Sequence, residues 1–201
     1  MVKILSPALV KYTEHMIPTD PAWLVAECIA GNEAAIEALV RQYEAATFRL
    51  AFAIVGDQLE ATEITQETFI AALRSLNTYQ ERKSFKAWLF TIALNLSRSH
   101  LRKRKFLEKL RETATALFRV ENQKQLLPEE TIIQSEREAV IWRELNKLDE
   151  RHRIVVILRY FHELSISEIS EMLSVNEGTI HSRLYTARER LRNTLQNLDG
   201  E

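Results

Sequence analysis

Along most of the chain, apolar positions return every three or four residues, the spacing of one face of an α-helix. One stripe is Ile36, Leu39, Val40, Tyr43, Thr47, Leu50 and Ile54, opened by Asn32 as N-cap and broken by Gly56-Asp57. A shorter helix precedes it, with Asp20 as N-cap, Pro21 at the first helical position and Gly31 at the end. A third helix is predicted from Gln58 to Leu76. Thr65, Phe69, Leu73 and Leu76 face inward, while Glu60, Glu63, Gln66 and Glu67 share another face. After a polar loop, Asn77 to Lys83, Ser84 caps a fourth helix. Its stripe is Phe85, Trp88, Leu89, Ile92 and Leu96, and its end is basic. From Lys105 to Gln134 the pattern weakens, with a break at Leu127-Pro128-Glu129-Glu130, and this stretch reads as a linker, helical in part. Helices return over 135–147, 150–161, 166–173 and 177–196. The β-branched run Ile154 to Leu158 could be a buried strand, but its length and flanks favour helix. The expected fold is all-α: a loose extension over 1–19, a helical domain over 20–105, a flexible linker over 106–134 and a second helical domain over 135–198.

Composition supports this reading. Four glycines and four prolines in 201 residues favour long helices over turn-rich β architectures. A single cysteine, Cys28, excludes an internal disulfide and a Cys-rich zinc site, and its place on an apolar helix face suits a buried structural thiol. The five histidines lack metal-ligand spacing, so neither a metal nor a cofactor is expected. No apolar run reaches membrane-spanning length and no signal-peptide core opens the chain, so a cytoplasmic protein is expected.

The net charge of −1 hides a segregation. From Ser97 to Arg111 stand Arg98, Arg102, Lys103, Arg104, Lys105, Lys109 and Arg111 against Glu108 alone. From Gly178 to Arg192 stand Arg183, Arg188, Arg190 and Arg192 against Glu189. Asp57, Glu60, Glu63 and Glu67 form an acidic patch ahead of both runs. Two basic helix ends and one acidic face suit a protein that touches nucleic acid twice and a protein partner once. A single such run would more often be a solvated helix face.

The second feature is a helix-turn-helix over 165–192. Ile166, Ile169 and Leu173 face inward, Ser174 to Glu177 turn, Asn176 caps, and Ile180, Leu184, Ala187 and Leu191 are the buried stripe of the second helix. Thr179, Ser182, Arg183 and Tyr185 point elsewhere within its first two turns, the part of a recognition helix that reaches base edges. Arg188, Arg190 and Arg192 suit phosphates. A plain helical hairpin is the bland alternative.

These residues carry a resemblance. Leu148, Arg153, Leu158, Arg159, Leu164-Ser165, Glu168-Ile169, Gly178-Thr179-Ile180, Ser182-Arg183-Leu184 and Ala187-Arg188 resemble region 4 of the sigma-70-type family. Gly31-Asn32-Glu33, Leu39-Val40, Tyr43, Ala61, Glu63, Thr65-Gln66-Glu67, Phe69-Ile70, Phe85, Trp88-Leu89-Phe90, Ile92-Ala93, Asn95 and Arg102-Lys103 resemble region 2. The short linker is similar to that of the extracytoplasmic-function (ECF) group. The resemblance implies a transcription initiation factor that binds core RNA polymerase, at the β′ clamp helices and β flap, and bacterial promoter DNA, double- and single-stranded. It implies polymerase docking by Glu63, Gln66 and Glu67, with Glu63 standing where the family usually has Asp. It implies −35 recognition by Thr179, His181, Ser182, Arg183, Tyr185 and Arg188, with His181 and Thr186 departing from residues that are often basic. Melted −10 DNA would fall to the Asn77–Lys83 loop, with Asn77 and Tyr79, and to Arg98, Arg102, Lys103 and Arg104. Trp88 is either a duplex wedge or, more in keeping with its place on the apolar stripe, a core residue. An anti-sigma factor is a common partner in the group, and packing of the two domains together would be a way to mask the DNA-binding surface. A stand-alone helix-turn-helix regulator explains the last third equally well, but not the order of acidic helix, polar loop and basic helix. A helical adaptor leaves both basic clusters unexplained. An enzyme lacks any phosphate loop, metal cluster or nucleophile spacing.

Overall fold

The computed structural model describes residues 21–80, 84–118 and 136–198, and among these there is no strand. Asp20, the extension over 1–19 and the linker stretch 119–135 lie outside the described residues. The N-terminal half holds α1 (Pro21–Ile29), α2 (Glu33–Val55), α3 (Gln58–Ser75) with a 3-10 turn at Leu76–Thr78, and α4 (Phe85–Phe118). The C-terminal half holds α5 (Glu136–Lys147), α6 (Glu150–Val156) continued by a π turn at Ile157–Phe161, α7 (Ile166–Leu173) and α8 (Glu177–Leu198).

The helix boundaries are set by local chemistry. Asn32 Oδ1 accepts from the backbone N–H groups of Ala34 (3.1 Å) and Ala35 (3.3 Å). Gly56 ends α2 at φ 72°, a left-handed conformation that glycine adopts without strain. The next residue, Asp57, caps α3 by accepting from Glu60 N–H at 2.8 Å. Ser84 Oγ accepts from Ala87 N–H at 3.3 Å at the head of α4. Leu24, Val25, Cys28, Leu39, Tyr43, Phe69, Ala72, Leu76, Phe85 and Leu89 then form a core under α1 to α4. Cys28 is buried there, and burial pushes its thiol pKa up, as expected of a structural thiol.

Two stretches differ from expectation or resolve it. α4 continues through 106–118, the first part of the stretch read as a linker helical in part. The segment holds no glycine or proline and is rich in Leu, Lys, Glu, Arg and Ala, so propensity carries the helix on. The periodic signal fades because Phe106, Leu107 and Leu110 are exposed rather than packed on a core. The Ile154–Leu158 run is helical and wholly buried, as its length and flanks suggested.

The two halves share one core. Leu50, Ile54, Phe90, Ala93 and Leu94 of the first half belong to the same buried cluster as Ile154, Ile157, Leu158, Leu164 and Ile169 of the second.

Candidate nucleic-acid interface

The recognition helix α8 is fixed at its start by Asn176. Its Oδ1 accepts from Thr179 N–H and from the Thr179 hydroxyl, both at 2.8 Å. Ser174 makes the turn at φ 52°, and Ser165 with Glu168 closes a capping box at the head of α7. Ile180, Leu184 and Ala187 are buried beneath α8. This inward pull turns His181, Ser182, Tyr185 and Arg188 to solvent, with Tyr185 67 % exposed, and leaves Arg183 half-buried beside them. Thr179 is also half-buried, with its hydroxyl proton committed to the cap. Five of the six expected −35 residues therefore share an open surface, and Thr179 sits at its edge. Farther along, Arg190 lies 3.4 Å from Asp149 and Arg192 2.7 Å from Glu189, so these two already have acidic neighbours.

On α3, Glu63, Gln66 and Glu67 are all exposed, because Ile64, Thr65, Thr68 and Phe69 take the buried side. Glu67 is not isolated: His100 Nε2 of α4 lies 3.0 Å from its carboxylate, and His100 Nδ1 lies 3.6 Å from Glu60. Asn77 is exposed in the 3-10 turn after this helix. Tyr79 is half-buried and packs edge-on against Phe85 at 5.3 Å and near Trp88 at 5.7 Å. Trp88 also meets Phe85 at 5.5 Å, half-buried against the core, as its place on the apolar stripe suggested. Residues 81–83 of the loop lie outside the described residues.

The four α4 cations do not form one patch. Six residues along a helix amount to about 240° of rotation, so Arg98 and Arg104 face apart. Arg98 Nε lies 3.4 Å from Glu150 of α6. Arg104 Nη1 donates to Glu60 at 2.8 Å and to the Val55 carbonyl at 3.2 Å. Arg102 and Lys103 are exposed. Of the four expected phosphate contacts, two are thus exposed and two are engaged within the fold. Helical rotation would have shown the division, whereas the partners Glu150 and Glu60 lie far off in sequence.

Sequence reasoning missed the seam between the halves. Lys86 Nζ donates to the His162 carbonyl at 2.7 Å, and the His162 ring meets Phe90 edge-on at 4.6 Å. Arg153 Nη2 donates to the Ile54 carbonyl at 3.4 Å, and Ser84 hydrogen-bonds the Glu168 side chain. No local pattern marks the pairing of these residues across the two halves, although the Ser165-x-x-Glu168 box was readable.

Two family models match the chain: Sigma-70 region 2 over residues 39–106 and Sigma-70 region 4 over residues 138–191. The ECF RNA polymerase sigma factor SigW of Bacillus subtilis is 31 % identical over 173 residues, which is 84 % of this chain and 92 % of the relative. This chain belongs to the ECF group of sigma-70-type factors. Its members also include the ECF RNA polymerase sigma-E factor of Haemophilus influenzae, 30 % identical over 90 % of this chain and 97 % of that one. Among solved structures, a sigma factor RpoE crystallised with the anti-sigma factor NepR from Bartonella quintana matches with TM-score 0.65 and 22 % identity. It covers 80 % of this chain and 96 % of that one. CnrH in complex with the cytosolic domain of CnrY matches with TM-score 0.62 and 24 % identity, over 87 % of this chain and 96 % of that one. These two support the all-α fold. As an RNA polymerase sigma factor, the protein directs promoter-specific transcription initiation, so the stand-alone regulator is not favoured. No helix among the described residues is long and apolar enough to cross a membrane.

Proposed function

We propose that this sigma factor reads the −35 element through His181, Ser182, Arg183, Tyr185 and Arg188 on α8, with Thr179 at the edge of the footprint. The observation that carries this reading is the open face of a helix whose other side is locked by Ile180, Leu184 and Ala187. Arg183 is the base-reading candidate, since a guanidinium can pair bidentately with guanine. Arg188 serves phosphates. Glu63, Gln66 and Glu67 dock on core polymerase, and His100 holds Glu67 in place. Asn77 and the loop beyond it take the melted −10 strand, with Arg102 and Lys103 on its phosphates. Tyr79 supports that loop from the aromatic cluster rather than stacking on a base. Arg98 and Arg104 join the phosphate contacts only once released from Glu150 and Glu60. The functional division is 20–105 for polymerase and −10 DNA and 135–198 for −35 DNA, with 106–134 between them. The protein works in the cytoplasm without catalysing a reaction. An anti-sigma protein is its regulatory partner, the kind of protein with which RpoE of Bartonella quintana was crystallised.

The test is capture of core polymerase alongside initiation in vitro. Arg183→Ala is expected to lose promoter-specific initiation and keep polymerase binding. The paired Gln66→Ala and Glu67→Ala changes are expected to lose binding itself. Equal loss of both activities in Arg183→Ala overturns the recognition-helix assignment.

A further inference from the structure

We propose that the seam between the two halves is a proton-sensitive latch, with His162 the group whose protonation opens it. The side chain is 2 % exposed, and its Nε2 has no hydrogen-bond partner among the described residues. A neutral imidazole tolerates this place, because the Phe90 ring at 4.6 Å supplies an apolar wall. An imidazolium does not, since both of its nitrogens carry protons that need acceptors.

The charges around it oppose a proton. Burial comes first, and then Lys86 of α4 and Arg49 of α2, both positive, which together bring the His162 pKa down to about 3. Lys86 is anchored there by its bond to the His162 carbonyl and stands 5.8 Å from the Phe90 ring centroid. On α7 the acid is Glu168, and its carboxylate is taken by Ser165 and Ser84. On the turn that carries His162, Arg159 donates to the Leu164 carbonyl and Glu163 is exposed. Among the described residues no acid accepts a proton from Nε2.

When the halves separate, His162 leaves Phe90, Lys86 and Arg49 and regains the ordinary histidine value near 6.5. The open form then binds protons that the closed form refuses. Closure is fully favoured above about pH 6.5 and weakens tenfold for each unit below it, until the closed form itself takes up the proton near 3. Between pH 7.5 and 5.5 the open-to-closed ratio rises about tenfold. The opening does not depend on the DNA contacts proposed above, although its consequence for initiation does.

Thiol trapping on the full chain tests this, because it senses a rare open form. Ser97 is fully buried, lies two turns along α4 from Phe90, and is near-isosteric with cysteine. Cys28, buried in the separate N-terminal core, reports global unfolding. In Ser97→Cys protein, trapping at position 97, corrected for thiol ionisation, is expected to rise about tenfold from pH 7.5 to 5.5. Trapping at Cys28 is expected to stay flat. Adding His162→Phe, or His162→Gln should the first fail to fold, is expected to abolish the rise. A flat response at position 97, an equal rise at Cys28, or an unchanged rise in the folded His162 variant each overturns the latch.

Discussion

Asn176 is the residue through which a local hydrogen bond reaches promoter recognition. Its Oδ1 serves two donors on Thr179, each at 2.8 Å, and so closes the first turn of α8. Asn176→Ala removes that acceptor. Asn176 is exposed, so water replaces it and the penalty is that of a lost cap, about 1 kcal/mol, rather than of a buried orphan donor. The C-terminal half shares its core with the N-terminal half, so the chain is expected to melt as one unit. For a unit of this size, about 1 kcal/mol corresponds to roughly 2–4 °C in Tm. Asn176→Asp retains the acceptor and adds a negative charge at a helix N-terminus, worth about 0.3–1 kcal/mol in favour of the helix. It is expected to melt at or above the parent temperature. In the polymerase-bound protein the frayed turn must re-form on DNA, so Asn176→Ala lowers −35 affinity by at most about fivefold, the equivalent of 1 kcal/mol. Scanning calorimetry and anisotropy titrations of the holoenzyme on a −35 duplex give the two numbers. An alanine variant that melts at the parent temperature, or an aspartate variant that falls as far as alanine, refutes the reasoning.

Further outcomes follow from the seam and from α7. Phe90→Ala truncates a fully buried ring where the halves meet and is expected to cost about 3–5 kcal/mol, read as a lower urea midpoint. A loss under about 1 kcal/mol would mean that the shared core is not stabilising. Glu168 has its carboxyl raised by desolvation, but bonds from Ser165 and Ser84 and the charge of Lys86 outweigh this and hold it below the ordinary value of 4.5. Its contribution is therefore present above that value and disappears as pH falls below it. Glu168→Gln is expected to flatten this part of the acid limb in denaturation curves taken from pH 6 to 3, while an unchanged limb would assign it to other carboxylates.

What could be read in the sequence was what is decided within a few residues. Asn32, Gly56-Asp57, Ser84 and Asn176 act on backbone groups four residues away or closer, so their roles were visible as spacing. The buried stripe of α8 and the open face opposite it followed from the same period. The length of α4 was hidden because its C-terminal apolar residues face solvent, which leaves propensity without periodicity. The partners of Arg98 and Arg104 were hidden because Glu150 and Glu60 lie 52 and 44 residues away. His162 looked like one scattered histidine among five. Its burial depends on Lys86 and Phe90, which only the packing of one half on the other brings to it.

That packing does not act by covering the recognition surface. His181, Ser182, Tyr185 and Arg188 remain exposed, and so do Glu63, Gln66 and Glu67. What the closed form constrains is the spacing of those surfaces and the freedom of Arg98, which Glu150 holds. The ion pair between them is partly exposed and contributes about 1 kcal/mol at most. The apolar side of the seam weighs more, since uncovering each large side chain such as Phe90 or Leu94 costs about 1.5–3 kcal/mol. A partner can shift the equilibrium only by the difference in its affinity for the two forms. Core polymerase favours the open form to the extent that it engages both halves at a separation the seam forbids. Protonation of His162 adds about a factor of ten to that bias at pH 5.5. The two inputs act on one equilibrium, so protonation of His162 lowers the differential affinity that polymerase must supply, and His162 itself is buried away from the surface proposed to face promoter DNA.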